Sequence, residues 1–537
     1  MQLHHRLVTC LACTLAALPS LACAQAVKVP LSAAEQSGFT RTSTHAEMRT
    51  FVKALSAMPA ADRLRVGSAG ESNEGRDLLT VTVGAPLPKQ TTAVAAGDRL
   101  RILINANIHG GEVEGKEAVM GILRDFSLGQ HEDLLKRAVI VFVPIYNADG
   151  NDDIDRKHRV SQNGPDGGVG DRPNAQGLDL NRDFIKVESP ECRGLLGLVN
   201  RFDPHLFMDL HTTNGSSHGY HLTYSPSLST NVDAELDGFV RDVFLPEVRG
   251  ATLEKHGFRT FDYGNFGGRQ QKSWSTYDHR PRFGTNYMGL RNRFAVLAEA
   301  FSYVPFKMRV AATRAFVLEN LRAAVAHEVQ LRELCARADR QVVERDASVQ
   351  FAWDTKLEKG HQQDVLVGIL SSVEIEGLGT RRIAGEGFTA EPMLVRDRFT
   401  SARRRPLPAA WVVQDADEAV LDVLKLHGLE VTRLTADANV EVSAFMVAKQ
   451  HRVERPFQGH NEISLDGEWK NHSVHLPAGT LLVRADQALA RVAAQLLEPQ
   501  SEDSLTTWNF FDDHLHLERA HPVLCVDSLA GLDLAGE

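Results

Sequence analysis

The sequence Leu100-Arg101-Ile102-Leu103-Ile104-Asn105-Ala106-Asn107-Ile108-His109-Gly110-Gly111-Glu112 carries an apolar strand directly into a glycine turn. The turn places a histidine three residues before a glutamate, a combination of ligands that suits a borderline metal ion such as Zn²⁺. His211 ends a later segment with the same apolar character. The sequence therefore predicts a metal site with His109, Glu112 and His211 as its candidate ligands.

Apolar segments alternate with helical patterns on both sides of this stretch. The strand candidates are Ile102 to Ile108, Ala138 to Ile145 and Leu206 to Leu210, and the helix candidates are Val113 to Phe126 and Pro190 to Phe202. Continuous apolar strands that alternate with helices predict an α/β fold, with a mostly parallel mixed sheet and helices on both of its faces. Ligands bind such sheets at the carboxyl ends of the strands, where His109, Asn147 and His211 fall.

The length of 537 residues predicts two domains. We expect the first, residues 25–346, to be catalytic and to end after one long amphipathic helix from Val310 to Arg340. Residues 347–537 predict a smaller, mixed, strand-rich domain to which the sequence assigns no role. Its strand candidates are Val365 to Ile375 and Leu481 to Val483, and residues 411–434 predict a β-α-β unit.

The first 24 residues have the pattern of a secretory signal peptide. An apolar run from Leu7 to Ala22 is followed by Ala22-Cys23-Ala24, which supplies small residues at the expected cleavage site. The run is short for a membrane span, and we predict none elsewhere in the chain. The expected location is the periplasm or the exterior of the cell.

The formal net charge of −10 argues against a nucleic-acid partner, because phosphate binding needs clustered positive charge. Nothing in the sequence sets an oligomeric state.

Four further motifs strengthen the prediction of a metal site. They are Asn147-Ala148-Asp149-Gly150, Arg156-Lys157-His158-Arg159, the stretch Leu178-Asp179-Leu180-Asn181-Arg182-Asp183-Phe184, and Phe294-Ala295-Val296-Leu297-Ala298 running into Glu299. A carboxylate at the end of an apolar strand is costly unless it is paired or solvated, and a general base is one reason to keep it there. A second His-x-x-Glu, His451-Arg452-Val453-Glu454, lies in a charged stretch without a preceding apolar strand, so we interpret it as structural.

In this combination the motifs resemble the zinc carboxypeptidase family, the carboxypeptidase A-like metallopeptidases, over Thr42 to Arg309. Residues 162–183 and 299–306 are most similar to a bacterial secreted subgroup with an additional C-terminal domain. The resemblance implies one Zn²⁺ per chain, held by His109, Glu112 and His211, with Asp179 accepting a hydrogen bond from His109.

The resemblance also implies roles for the substrate-binding and catalytic residues. Asn181 and Arg182 would bind the terminal carboxylate of a peptide, and Arg156 would stabilise the oxyanion. Glu299 would accept the proton of a zinc-activated water. Tyr277 would cover the substrate, although Tyr287 competes for that role.

The function that these residues imply is that of a secreted zinc metallocarboxypeptidase, which hydrolyses the C-terminal bond of peptides with a free C-terminus. A second interpretation is a zinc-dependent amidase or deacylase, acting on cell-wall peptides or N-acyl amino acids. A third is a non-catalytic peptide-binding module, against which Glu299 and Arg156 argue because a pure binder needs neither.

Overall fold

The computed structural model describes residues 28–213, 215–268, 272–414 and 417–535. The predicted signal peptide lies outside these residues. The strands are β1 (Leu64–Glu71), β2 (Asp77–Val83), β3 (Leu100–Ala106), β4 (Ala138–Val143), β5 (Leu206–Thr213), β6 (Leu222–Pro226), β7 (Thr260–Asp262), β8 (Asn265–Gly267), β9 (Ser273–Ser275), β10 (Phe294–Phe301), β11 (Gln350–Leu357), β12 (His361–Ile375), β13 (Gly379–Arg396), β14 (Phe399–Pro406), β15 (Ala410–Val413), β16 (Val431–Arg433), β17 (Ala438–Arg452), β18 (Ile463–Leu476), β19 (Leu481–Arg484) and β20 (Ala520–Val526).

The helices are α1 (Ala33–Gln36), α2 (His45–Ala54), α3 (Ala93–Ala96), α4 (Glu114–Ser127), α5 (Glu132–Arg137), α6 (Ala148–Asp152), α7 (Pro190–Phe202), α8 (Ala234–Phe239), α9 (Leu245–His256), α10 (Gly284–Leu290), α11 (Phe306–Ala326), α12 (Glu328–Val343), α13 (Glu418–Leu426) and α14 (Ala490–Leu497). A π-helical turn, Val240–Phe244, joins α8 to α9. No helix within these described residues has the length and apolar character needed to cross a bilayer.

The central sheet has eight strands in the order β1-β2-β4-β3-β5-β10-β6-β7. Its four middle strands, β4, β3, β5 and β10, are parallel to one another. The neighbouring β2 and β6 are antiparallel to this group. The predicted α/β class with a mostly parallel mixed sheet is confirmed.

Apolar clusters cover both faces of this sheet. Alternate residues of each strand point to opposite sides, so each strand contributes side chains to both clusters. Ile102 and Ile104 of β3 pack in one apolar cluster with residues of α4 and α11. Leu103 between them packs in a second cluster with residues of α7 and α10. Two-sided burial explains why these strands read as continuous apolar runs in the sequence.

The predicted helix from Val310 to Arg340 is two helices in the structure, α11 and α12, which separate at His327 (φ −103°, ψ 21°). The backbone there leaves the helical region, and the His327 ring pairs with Glu247 Oε2 at 2.7 Å. The break turns the chain out of the buried layer, because α11 packs against α4 and α9 whereas α12 approaches α8 and α14.

Residues 350–535, the C-terminal region, are rich in strands, as predicted. A six-stranded antiparallel sheet has the order β16-β19-β15-β20-β17-β18. The predicted β-α-β unit is present as β15, α13 and β16, with β19 inserted between its two strands. Another sheet joins β12 and β13 to β9 and β8 of the preceding part of the chain.

Candidate active site

Three neighbouring parallel strands bring the predicted metal ligands and the predicted base to one edge of the central sheet. His109 and Glu112 follow the end of β3, and His211 and Glu299 lie near the ends of β5 and β10. The register of β5 and β10 places Glu299 directly beside His211. Residues that are far apart in the sequence therefore meet because parallel strands end on the same side.

The turn after β3 is built around Asn107, which has a left-handed φ of 60°. Its side-chain amide donates to the carbonyl oxygens of His109, Gly110 and Glu112 at 3.1–3.2 Å. A Cβ atom at Gly110 would lie 2.3 Å from the Gly150 carbonyl, so only glycine fits. This packing fixes the direction in which His109 and Glu112 project.

The side chains of His109, Glu112 and His211 are buried and face one another. Nδ1 of His109 lies 3.0 Å from Glu112 Oε1, and Nδ1 of His211 lies 3.0 Å from Glu112 Oε2. The three residues each offer a ligand atom within 4.8 Å of the others. Two imidazoles and one carboxylate fit a catalytic zinc site, which uses three protein ligands and keeps a fourth position open.

The outer nitrogen of each histidine faces a carboxylate. His109 Nε2 lies 3.0 Å from Asp179 Oδ1, and His211 Nε2 lies 3.0 Å from Asp209 Oδ2. In a neutral His109 ring the hydrogen bond with Asp179 holds the N–H on Nε2 and leaves the Nδ1 lone pair for a metal ion. Among the described residues, His109 Nδ1 and His211 Nε2 have no hydrogen-bond partner, since their 3.0 Å contacts with Glu112 and Asp209 lack hydrogen-bond geometry.

Asp209, in the stretch Asp209-Leu210-His211, had no role assigned from the sequence, although a signal was available. Residues two apart on a strand point to the same face, so Asp209 and His211 share a face of β5.

Asp179, beside His109, is held by Arg172, whose Nη2 lies 2.8 Å from Asp179 Oδ2. Burial opposes the charge of Asp179, but His109 and Arg172 outweigh it and lower the pKa of this carboxyl well below its usual range.

Glu299 lines the same cavity as the three candidate ligands. Burial raises the pKa of Glu299 to about 8, with a further upward contribution from Glu112, although His211 and the nearby Arg159 oppose the rise. A carboxylate with a raised pKa beside a metal site has the properties of a general base.

The cavity has a volume of about 520 Å³ and is rich in arginine. Its cationic lining residues are Arg159, Arg172, Arg182, Arg280 and Arg282. Four of them pair with carboxylates: Arg159 with Glu112, Arg172 with Asp179, Arg280 with Asp278, and Arg282 with Asp503.

Arg182 forms no ion pair within the part of the chain that the structure describes. Its guanidinium donates to the Asn181 carbonyl at 2.8 Å and lies 3.9 Å above the Phe283 ring. Burial lowers the pKa of Arg182; Asp179 opposes this lowering, and Arg172 and Arg282 add to it. An anion in the cavity would relieve this unfavourable environment.

The structure does not bring Arg156 to this cavity. Arg156 is exposed and lines a separate small pocket together with His158 and Val169. The loop turns at Arg159 (φ 49°), whose Nη1 donates to Glu112 Oε1 at 3.0 Å. The arginines beside the candidate metal ligands are therefore Arg159, which belonged to the quoted motif but had no role assigned to it, and Arg172, which was not singled out from the sequence.

Of the two candidate tyrosines, Tyr277 lines the cavity, and its hydroxyl lies 2.9 Å from Thr285 Oγ1. Tyr287 is fully buried and shares a hydrogen bond of 2.8 Å with His427, so it cannot reach a substrate. A further tyrosine in the cavity wall, Tyr263, was missed because it follows a strand of only three residues.

The C-terminal region also contributes to this cavity. Phe457 and Glu462 form part of its wall, and Gln458 Oε1 accepts a hydrogen bond of 2.9 Å from the backbone N–H of Asp179. The predicted structural role of the second His-x-x-Glu is consistent with the position of His451, which is exposed and pairs with Asp466 at 2.8 Å.

The chain is similar to a known protein family, to curated proteins and to solved structures. Residues 48–217 match the family described as Zinc carboxypeptidase. Carboxypeptidase 2 of Trichophyton equinum is 21% identical over 455 residues, covering 82% of this chain and 78% of that protein. Carboxypeptidase D of Drosophila melanogaster is 33% identical over 166 residues, covering 28% of this chain and 11% of that protein. Among solved structures, a metallo-carboxypeptidase from Burkholderia cenocepacia has a TM-score of 0.39 at 17% identity, covering 53% of this chain and 69% of that chain.

Proposed function

This chain belongs to the zinc carboxypeptidase family and is a zinc metallocarboxypeptidase, and from that premise we propose that it removes the last residue of peptides with a free carboxyl terminus. His109, Glu112 and His211 would hold one Zn²⁺. Zinc, when bound there, polarises a carbonyl and lowers the pKa of a water molecule. The remaining chemistry is carried by side chains of the protein.

Glu299 acts as the general base in this proposal. It accepts a proton from the attacking water and returns it to the departing amine, which requires a carboxyl whose pKa lies near the working pH. Its raised pKa and its position beside His211 support this role.

Arg159 and Arg172 supply the positive charge that the family resemblance placed at Arg156. Both line the cavity with the metal ligands. Arg159 is fixed by Thr212 O at 2.8 Å and by Gln162 Oε1 at 2.9 Å. A cation held rigidly in this way can stabilise the oxyanion without reorganising.

The observation that carries the exopeptidase proposal is the unpaired state of Arg182 among the arginines of the cavity. Asn181 lies beside it and is anchored by the Gly284 N–H, which donates to Asn181 Oδ1 at 2.9 Å. A guanidinium binds a carboxylate with two parallel hydrogen bonds, so these residues suit the terminal carboxylate of a peptide. Tyr277 would close over the bound residue.

The test compares hydrolysis of matched peptides that end in a free acid or an amide. We expect Arg182→Ala to lower kcat/KM for the free acid by on the order of 10²-fold, because removing one partner of a buried charge pair costs about 2–5 kcal/mol. The ratio of free acid to amide should fall towards one. Arg156→Ala, which lies outside the cavity, is the matched control and should keep the ratio of the parent enzyme. An unchanged ratio in folded Arg182→Ala would contradict the proposal and favour the amidase interpretation.

We also infer that the chain is exported after removal of residues 1–24, on the basis of the apolar run and the small residues at the predicted cleavage site. N-terminal sequencing of the protein from the periplasm or medium should begin at Gln25. Retention of Met1 on the accumulated, active protein would contradict export by this signal.

A further inference from the structure

A second cavity of about 630 Å³ lies beside the proposed catalytic cavity, between the first part of the chain and the C-terminal region. Asp278, Arg280 and Glu462 line both cavities. A substrate that leaves the catalytic cavity across this wall would enter the second one.

The shared wall is made of ion pairs that link the two parts of the chain. The guanidinium of Arg280 lies 2.5 Å from Asp278 Oδ2 and 3.7 Å from Glu462 Oε2. Arg282 Nη1 lies 2.7 Å from the other oxygen of Glu462. The charged side chains of the wall are therefore paired with one another, and these pairs fix the start of β18 against the catalytic cavity.

The second cavity is acidic, in contrast to the first. Its described lining includes two arginines, Arg280 and Arg403, two histidines, His279 and His451, and six carboxylates, Asp278, Asp354, Glu462, Asp466, Glu502 and Asp503. Arg280 pairs with Asp278 and Glu462, Arg282 with Asp503, and His451 with Asp466. Burial lowers the pKa of His279 to about 4, so this lining histidine adds no positive charge at neutral pH. The excess of carboxylates creates a negative potential that attracts cations.

Two of these carboxylates have only weak cationic partners. Glu502 lies 3.8 Å from the neutral His279 ring, and Asp354 lies 3.8 Å from Arg403 and 3.6 Å from the exposed Lys356. Burial raises the pKa of Glu502, and the neighbouring Asp354 adds to the rise. A positive group placed between Asp354 and Glu502 would stabilise both.

The cavity also offers an apolar surface for the stem of a long side chain. Its apolar lining residues are Trp353, Val453, Ile463, Leu465 and Pro499. Lysine and arginine combine an aliphatic stem with a charged head that aromatic rings also attract.

We propose that the second cavity binds a lysine or arginine side chain of the peptide substrate, upstream of the bond that is cleaved. This inference rests on the proposed carboxypeptidase function, in which the peptide's terminal carboxylate lies at Arg182. The positive first cavity then receives the anionic end of the peptide and the negative second cavity receives a cationic side chain. The C-terminal region would thereby set substrate preference.

The experiment uses six-residue peptides with one C-terminal residue and one scissile bond in common. A single Lys, Gln or Glu is placed three, four or five residues from the C-terminus, because each extended residue spans about 3.3–3.6 Å. We expect kcat/KM to favour Lys over Glu by about tenfold at one or more positions, the effect of two partly exposed ion pairs. The preference should weaken as NaCl is raised from 0.05 to about 1 M, since salt screens such pairs.

The double variant Glu502→Gln and Asp354→Asn should reduce the Lys/Glu ratio to near one while keeping hydrolysis of the Gln peptide. Glu254→Gln, on the exposed side of α9, is the matched control and should keep the parent ratio. A ratio near one in the parent enzyme, a ratio insensitive to salt, or a full preference in the double variant would each overturn the inference. Failure to cleave any of the peptides would instead contradict the carboxypeptidase proposal itself.

Discussion

At the scale of residues, replacing Glu299 with glutamine removes the proposed proton acceptor with little change in side-chain shape. We predict that Glu299→Gln retains zinc and substrate binding but lowers kcat by about 10²–10⁴-fold, the usual cost of losing a general base. Metal analysis and steady-state kinetics on the same preparation test this, with Glu254→Gln as the control. A correctly folded Glu299→Gln enzyme with near-normal kcat would assign the base to another residue.

Glu299 also predicts how the metal-free protein responds to pH. Its pKa is raised by burial to about 8 in the folded protein, against 4.5 for the ordinary side chain. The protonated form is therefore favoured by folding, so its contribution to stability is complete below pH 4.5 and is lost as the pH rises through 8.

In chelator-treated protein, we therefore expect the Tm of the parent enzyme to fall relative to that of Glu299→Gln between pH 5 and pH 8.5. The difference between the two proteins cancels the other titrating groups they share. Addition of zinc should reduce the difference, because a nearby cation stabilises the carboxylate. Parallel Tm curves for the two metal-free proteins would contradict the predicted role of burial at this site.

The sequence was sufficient to predict the residues that stand at strand ends. His109, His211 and Glu299 follow or end apolar strands, and parallel strands bring such positions together without further information. Arg156 and Arg159 lie three residues apart in a loop, and which of them reaches the cavity depends on the left-handed backbone at Arg159. No periodicity encodes that turn.

At the scale of elements, the connection between β17 and β18 contributes Phe457 and Glu462 to the wall of the cavity that the candidate metal ligands line. Phe457 and His460 exchange two backbone hydrogen bonds around a two-residue turn, and both central residues, Gln458 (φ 52°) and Gly459 (φ 84°), have positive φ. Asparagine is favoured over glutamine in such turns. The structure tolerates glutamine where its side chain accepts the N–H of Asp179.

We predict that Gln458→Asn keeps or raises the Tm and lowers kcat/KM by about fivefold, equivalent to one hydrogen bond of about 1 kcal/mol. The loss should appear mainly in KM, because Asp179 begins the segment that carries Asn181 and Arg182. Thermal unfolding and kinetics measured together distinguish a positioning role from a structural one. A lower Tm with unchanged KM would show that the turn serves only the fold.

Element boundaries show what periodicity can and cannot predict. The predicted helix Pro190 to Phe202 has the same bounds as α7, where Ser189 caps the first turn and Pro190 opens it. The break between α11 and α12 was missed because the helices separate at a histidine, His327, and not at a proline or glycine that would signal a helix end. Its cause is tertiary packing, which a single sequence does not display.

At the scale of the whole molecule, the two parts of the chain share one apolar core. The same cluster contains Leu103 and Tyr287 from the first part and Trp411, Phe445 and Trp508 from the C-terminal region. The division at residue 346 therefore marks a change in secondary structure, and we propose that it does not separate two independently stable units.

We predict that the full chain unfolds in a single calorimetric transition, and that a fragment ending at residue 346 is insoluble or lacks cooperative unfolding. Loss of the shared cluster would leave a large apolar surface exposed. Two resolved transitions, or a soluble fragment with the Tm of the full chain, would contradict this.

Because β9 pairs with β13, which is translated later, part of the fold cannot form until synthesis is well advanced. Ser273 leaves the ribosome long before its strand partner Leu394, and translation proceeds at roughly 5–20 residues per second. For several seconds the nascent chain presents an unpaired strand edge and an uncovered apolar face of the central sheet. We expect the chain to need a chaperone, or to remain unfolded, until its last third has been translated.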